Sequence, residues 1–199
     1  MRRALSKFFS QRVGVFLAAT FLLIACSPKL DWRTVQSPQE GYSALFPGKP
    51  EKIDRRFQYQ DQDISQTLEA VKIGDDVYSV GSIHLSKDQI TLLPKLLDQL
   101  QSNLLKRAGV DLSTAISADA TYQTAGRQRL STKDYFFEFP STGAIETSMR
   151  VRWITRISAD NGAWIYQQSV LHSAPARVDA KKFFFFFSYS NFFDEFHPE

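Results

Sequence analysis

The chain has 199 residues with a single cysteine, 17 phenylalanines, and 24 Lys and Arg against 21 Asp and Glu. Four of the cations and none of the acids lie within residues 1–25, which leaves residues 26–199 with 20 against 21, a net charge of −1. A nucleic-acid footprint needs a basic domain and a disulfide framework needs paired cysteines, so both classes are excluded.

Arg2, Arg3, Lys7 and Arg12 precede an apolar run at Val13–Ile24. That run falls short of the roughly 20 apolar residues a bilayer span needs, and matches the core of a secretory signal. Leu23-Ile24-Ala25-Cys26 closes it and resembles a bacterial lipobox. The resemblance implies diacylglycerol on the Cys26 thiol, cleavage before Cys26, and anchorage by two or three acyl chains, which hold stably where one does not. In envelopes with two membranes an aspartate after the cysteine retains such proteins at the inner one. Ser27 stands there, so the expected location is the outer membrane, facing the periplasm. The organisation expected is a signal peptide over 1–25, a short lipidated tether over 26–31 and one domain over 32–199, a length that supports a single proper core.

Within that domain the dominant hydrophobic period is two, the mark of strands. The first strands are expected at Trp32–Val35 and Gly41–Phe46, separated by the turn residues Ser37-Pro38 and halted by Pro47-Gly48-Lys49-Pro50. Ile53–Tyr59, Ile64–Ile73 and Val77–Leu85 read as an antiparallel meander, turning at Asp61-Gln62-Asp63 and Gly74-Asp75-Asp76. The period then changes: Leu92, Leu93, Leu96, Leu97, Leu100, Leu104 and Leu105 form a stripe on one helix face. Pro94 fits the first turn of that helix and Gly109 its stop. The outward face lacks the lysines of an interfacial helix, so the stripe is expected to pack on the sheet.

Strands resume at Ile116–Thr124, Arg127–Phe139, Ile145–Ser158 and Ala163–His172. In the third, Met149, Val151, Trp153, Thr155 and Ile157 alternate with Arg150, Arg152, Ile154 and Arg156, which predicts one buried and one wetted face. Asp179 is a good N-cap for a last helix running through Phe183–Phe187 to about Ser190. The sum is an α+β class: one antiparallel β-sheet with two packed helices.

Gly41-Tyr42-Ser43-Ala44-Leu45-Phe46-Pro47-Gly48-Lys49-Pro50 after Ser37-Pro38, together with the late run of phenylalanines, resembles small bacterial lipoproteins with a PsbP-like fold. The resemblance implies an α/β/α sandwich in a group used mostly as accessory or assembly factors. It brings no catalytic residues.

The residues offer little chemistry of their own. Gly48-Lys49 lacks the flanking Gly and Ser/Thr of a phosphate loop, and neither a Gly-x-Ser-x-Gly elbow nor a His-Glu-x-x-His helix is present. Acylation would remove Cys26 as nucleophile or zinc ligand. His84 and His172 could meet Asp75 or Asp76 as a metal site, but isolated strand histidines more often find solvent or backbone. Asp61, Asp63, Asp75 and Asp76 read as turn residues rather than calcium ligands. No cofactor and no nucleic acid is expected.

Two surfaces remain as binding candidates. Arg150, Arg152 and Arg156, with Arg127, Arg129 and Lys133 of the preceding strand, would make an anion-binding patch if they shared a face. Asp134 and Glu146 could neutralise them, and like charges set opposite one another disfavour such a register. Phe184 and Phe185 belong to a run that no helix can bury entirely, so part of it is expected to meet a partner. The function expected is a noncatalytic, lipid-anchored envelope domain that binds or helps assemble another envelope protein. A carrier or sensor of a small apolar ligand is the alternative, and an envelope enzyme the third.

Overall fold

Two antiparallel sheets pack face to face in the computed structural model, which describes residues 30–111, 113, 115–175 and 189–199. Strands β1 (Arg33–Ser37) and β2 (Tyr42–Phe46) are joined through a 3-10 turn at Pro38–Glu40. The meander β3 (Glu51–Tyr59), β4 (Gln62–Ile73) and β5 (Asp76–Leu85) leads into a second 3-10 turn at Lys87–Leu92 and helix α1 (Leu93–Ala108). Then come β6 (Ile116–Gln123), β7 (Arg129–Thr142), β8 (Ile145–Ile157), β9 (Ala163–Pro175), the short helix α2 (Ser190–Asp194) and β10 (Phe196–Pro198). The larger sheet runs β3-β4-β5-β9-β8-β7-β6 and the smaller β1-β2-β10, all antiparallel. Asp31–Glu199 forms one compact unit.

The class is therefore α+β with a mostly antiparallel sheet and one main helix, but the single sheet expected from the sequence is two. The expected C-terminal helix falls largely on residues 176–188, outside the described residues. What is described begins where that helix was to end: α2 starts at Ser190, and a strand follows it.

Local chemistry accounts for the turns. Gln60 and Asp61 both take positive φ (48° and 61°), which closes β3 onto β4 in two residues with the primed-turn twist that hairpins favour. Gly74 (φ 60°) does the same before β5. Pro94 sits in the first turn of α1, where its missing N–H is not needed. Gly109, left-handed at φ 70°, ends the helix, its N–H reaching the carbonyls of Leu105 and Lys106.

The seven-stranded sheet is covered on both faces. On one, α1 lays Leu96 against Ile64, Ile83, Leu85 and Ile165, and Leu104, Leu105 and Ala108 against Phe137, Val151 and Trp153. The leucine stripe is thus core, with Leu96 only 1% exposed. On the other face, Tyr42, Ala44 and Phe46 of β2 join Tyr189, Phe192, Phe193 and Phe196 to cover Tyr78, Val80, Ile154, Tyr166 and Val170. Tyr42, Tyr78, Tyr166, Phe192 and Phe196 pack edge to face, the arrangement aromatic quadrupoles prefer.

Candidate functional site

The predicted cation patch lies inside the protein. In the β7/β8 ladder Asp134 pairs directly with Arg152, and Phe136 with Arg150. One carboxylate binds both guanidiniums. Arg150 donates to it from Nε (3.1 Å) and Nη2 (2.5 Å), and Arg152 from Nε (2.6 Å) and Nη2 (3.0 Å). Arg152 also gives Nη1 to the Phe193 carbonyl at 2.7 Å, while the Arg150 guanidinium lies 4.1 Å from the Phe193 ring centroid. Asp134, Arg150 and Arg152 are 2%, 6% and 1% exposed. Arg150 and Arg152 are therefore not an anion-binding surface: both are buried on the one Asp134 carboxylate, and Phe193 lies over them. The face expected to be wet is the second core.

Arg156, on the same face but half-buried, donates to the Glu199 carbonyl at 3.3 Å. The expected grouping of six cations fails on register, because Arg129 and Lys133 alternate with Asp134 and so project from the opposite face of β7. Arg127 sits in the turn before it at φ 63°. Cys26, Phe184 and Phe185 lie outside the described residues. Further along the sequence, Phe192, Phe193 and Phe196 are fully buried.

The histidines do not converge. Along the β5/β9 ladder Asp76 pairs with His172 at one end and His84 with Trp164 near the other. At the first end, His172 Nδ1 lies 2.7 Å from Asp76, which also accepts from the Tyr189 hydroxyl at 2.9 Å. At the second, His84 stacks on Trp164 and approaches Ser158 Oγ (3.4 Å) and Asp160 (3.5 Å). These three types could suggest a catalytic triad, but the wiring is wrong. Both contacts fall on the same imidazole atom, Nε2, and Ser158 donates its proton to Asp160 rather than to the histidine. Ser158, with the Gly162 N–H behind it, holds the Asp160 carboxyl below its usual range. His197 is tied to the Gln123 carbonyl and Glu195. Among the described residues no three metal-ligating side chains cluster. Lys49 lies between β2 and β3 with Gly48 seated against Val71 and Ile73, not around an anion-sized cradle.

One polar network has no forewarning in the sequence. Glu69 of β4, 6% exposed, accepts both Ser37 Oγ (2.9 and 2.8 Å) and the Tyr42 hydroxyl (2.6 Å). Burial first, and then the hydrogen bond to Glu69, push the Tyr42 phenol far above its usual range. Beside it Lys52 pairs with Glu40 at 2.6 Å, and Tyr166 donates to the Glu40 and Gly41 carbonyls. These bonds join the small sheet to the large one. With Ser37, Tyr42 and Glu69 all buried, a substrate has no path to them.

An accessible polar concavity lies elsewhere. On the helix side of the sheet, where β6 and β7 run past the flank of α1, an open hollow of about 380 Å³ is lined by Gln101, Asp119, Ser131, Lys133, Tyr135 and Trp153. Trp153 is held there by its indole N–H to Gln167 at 3.2 Å. The chain matches none of the protein families, and none of the curated proteins, with which it was compared.

Proposed function

We propose that this chain is a lipid-anchored protein of the bacterial cell envelope, and that its domain is a noncatalytic binding or assembly module of the PsbP-like kind. The observation that carries the reading is the arrangement at the start of the chain: four cations, an apolar run of signal length, and the only cysteine at its end, in Leu23-Ile24-Ala25-Cys26. An antiparallel sheet with a helix packed on one face is in keeping with the PsbP-like part of the proposal. The accessory role is supported by how the protein uses its reactive side chains. Tyr42 is bonded to Glu69 across the two sheets, Arg152 to Asp134 on the neighbouring strand and Tyr166 to the Gly41 carbonyl, as structural fastening rather than as groups presented to a substrate. The side chains that fill the space under α1 favour this role over that of an apolar-ligand carrier.

Metabolic labelling with a fatty-acid probe tests the anchor. The wild type should be labelled, Cys26→Ser should not, and the mature protein should begin at Cys26 by mass spectrometry. Label that persists in the serine variant ends the reading. Crosslinking in intact cells tests the accessory role, with a recurrent envelope-protein adduct expected.

A further inference from the structure

The hollow beside α1 is the one concave surface described above whose polar side chains are not already consumed. Asp119 of β6 and Lys133 of β7 stand directly opposite each other in the ladder, on the helix-facing side of the sheet. Both are exposed, and no ion pair links them or ties either to another described residue. Ser131 is exposed and Gln101 half-buried on the rim. The apolar part of the lining comes from Tyr135, half-buried, which packs at 5.5 Å against the buried Trp153 behind it.

The lining selects among ligand chemistries. An acyl chain would strip water from Asp119 and Lys133 without repaying them. A phosphate near Lys133 would also meet the like-charged Asp119 carboxylate directly across the ladder. A sugar ring satisfies both halves at once. Its C–H face is apolar and suits an aromatic wall, while its hydroxyls each donate and accept, matching a carboxylate, an ammonium, a hydroxyl and an amide around one cavity. The volume lies in the range of about 300–1,000 Å³ that small-molecule pockets occupy.

We propose that this hollow is a saccharide-binding site, taking a short glycan unit with its ring against Tyr135 and its hydroxyls on Asp119, Lys133, Ser131 and Gln101. The site does not depend on the envelope reading, since binding can be measured whether or not Cys26 is acylated.

The test titrates chitobiose, maltose and cellobiose into the full chain, held in a detergent without a sugar headgroup, and follows ring C–H protons by saturation-transfer NMR. At least one disaccharide should bind saturably at millimolar concentration or below. Asp119→Ala, Lys133→Ala and Tyr135→Leu should each weaken that binding tenfold or more while the melting temperature stays near wild type. Absence of saturable binding by all three sugars overturns the proposal. So does binding that survives the variants, or inorganic phosphate binding that Lys133→Ala removes while no sugar binds.

Discussion

Asp134→Ala should be among the most damaging single substitutions in this domain. The carboxylate holds two guanidiniums by four hydrogen bonds, and Arg150 and Arg152 are 6% and 1% exposed. Arg152 would keep the Phe193 carbonyl and a 3.7 Å approach to Asp194, and Arg150 would keep the Phe193 ring. The Phe193 carbonyl and ring carry no full charge, and Asp194 is 60% exposed, so none of the three replaces the buried carboxylate. Breaking a buried pair by removing one partner costs about 3–5 kcal/mol, a large part of the roughly 5–15 kcal/mol that holds a domain folded. For a domain of this size that is a fall of about 6–20 °C in melting temperature. Urea unfolding followed by far-UV circular dichroism measures it, with the midpoint dropping and the slope unchanged. A second variant separates stranded charge from lost packing. Replacing all three groups by apolar ones of similar volume (Asp134→Leu, Arg150→Met, Arg152→Met) should recover most of the loss, because an uncharged core no longer has ions to desolvate. If Asp134→Ala unfolds within about 0.5 kcal/mol of wild type, as an ordinary surface change would, the buried network is refuted.

Alkaline pH should unfold the domain cooperatively. Burial is the largest cause holding the phenols of Tyr42, Tyr78, Tyr166 and Tyr189 above the usual value near 10, with Tyr78 pushed up to about 12. The folded state then binds more protons than the unfolded one above pH 10. Stability is unaffected below that pH and falls as pH climbs toward each folded value, by about 1.4 kcal/mol per pH unit for every such tyrosine. Tyrosinate absorbance from these four should rise together with the loss of circular dichroism, and ionisation well ahead of unfolding would contradict their burial. Leu96→Ala should cost about 2–5 kcal/mol in urea unfolding, whereas the half-buried Leu97→Ala should cost clearly less. Equal losses would mean that the face of α1 against the sheet has been misassigned. Gly162→Ala should destabilise by about 1–3 kcal/mol through overpacking, since an added Cβ would lie 2.3 Å from the Leu85 carbonyl. A melting temperature at or above wild type would show that the β8–β9 turn yields freely.

Nine of the ten strands announce themselves in the sequence because their signal is local: alternate apolar residues bounded by Gly, Asp, Asn and Pro. β10 does not. It has three residues, one of them proline, and it is a strand only because β2, some 150 positions earlier, offers it an edge. The segment it belongs to also carries Phe193, which lies over the arginines of β8. Alternation along β8 reports that neighbouring residues face opposite ways, not that either way leads to water. With the C-terminal segment unseen, Arg150 and Arg152 read as solvated. The Glu69 network is illegible for a similar reason. Ser37, Tyr42 and Glu69 are brought together by the packing of two sheets, and no spacing encodes that.

Because Phe192, Phe193 and Phe196 fill the interior, and β10 pairs with a strand near the other end of the domain, the native state is out of reach until almost the whole chain exists. Contacts this distant in sequence form late and slowly. A nascent chain that has presented every residue up to Pro175 still has a hole in its core and two buried arginines with no roof. Any partner that captured it before Phe196 emerged would find an open sheet face, whereas one arriving afterwards would find that face sealed by the protein itself.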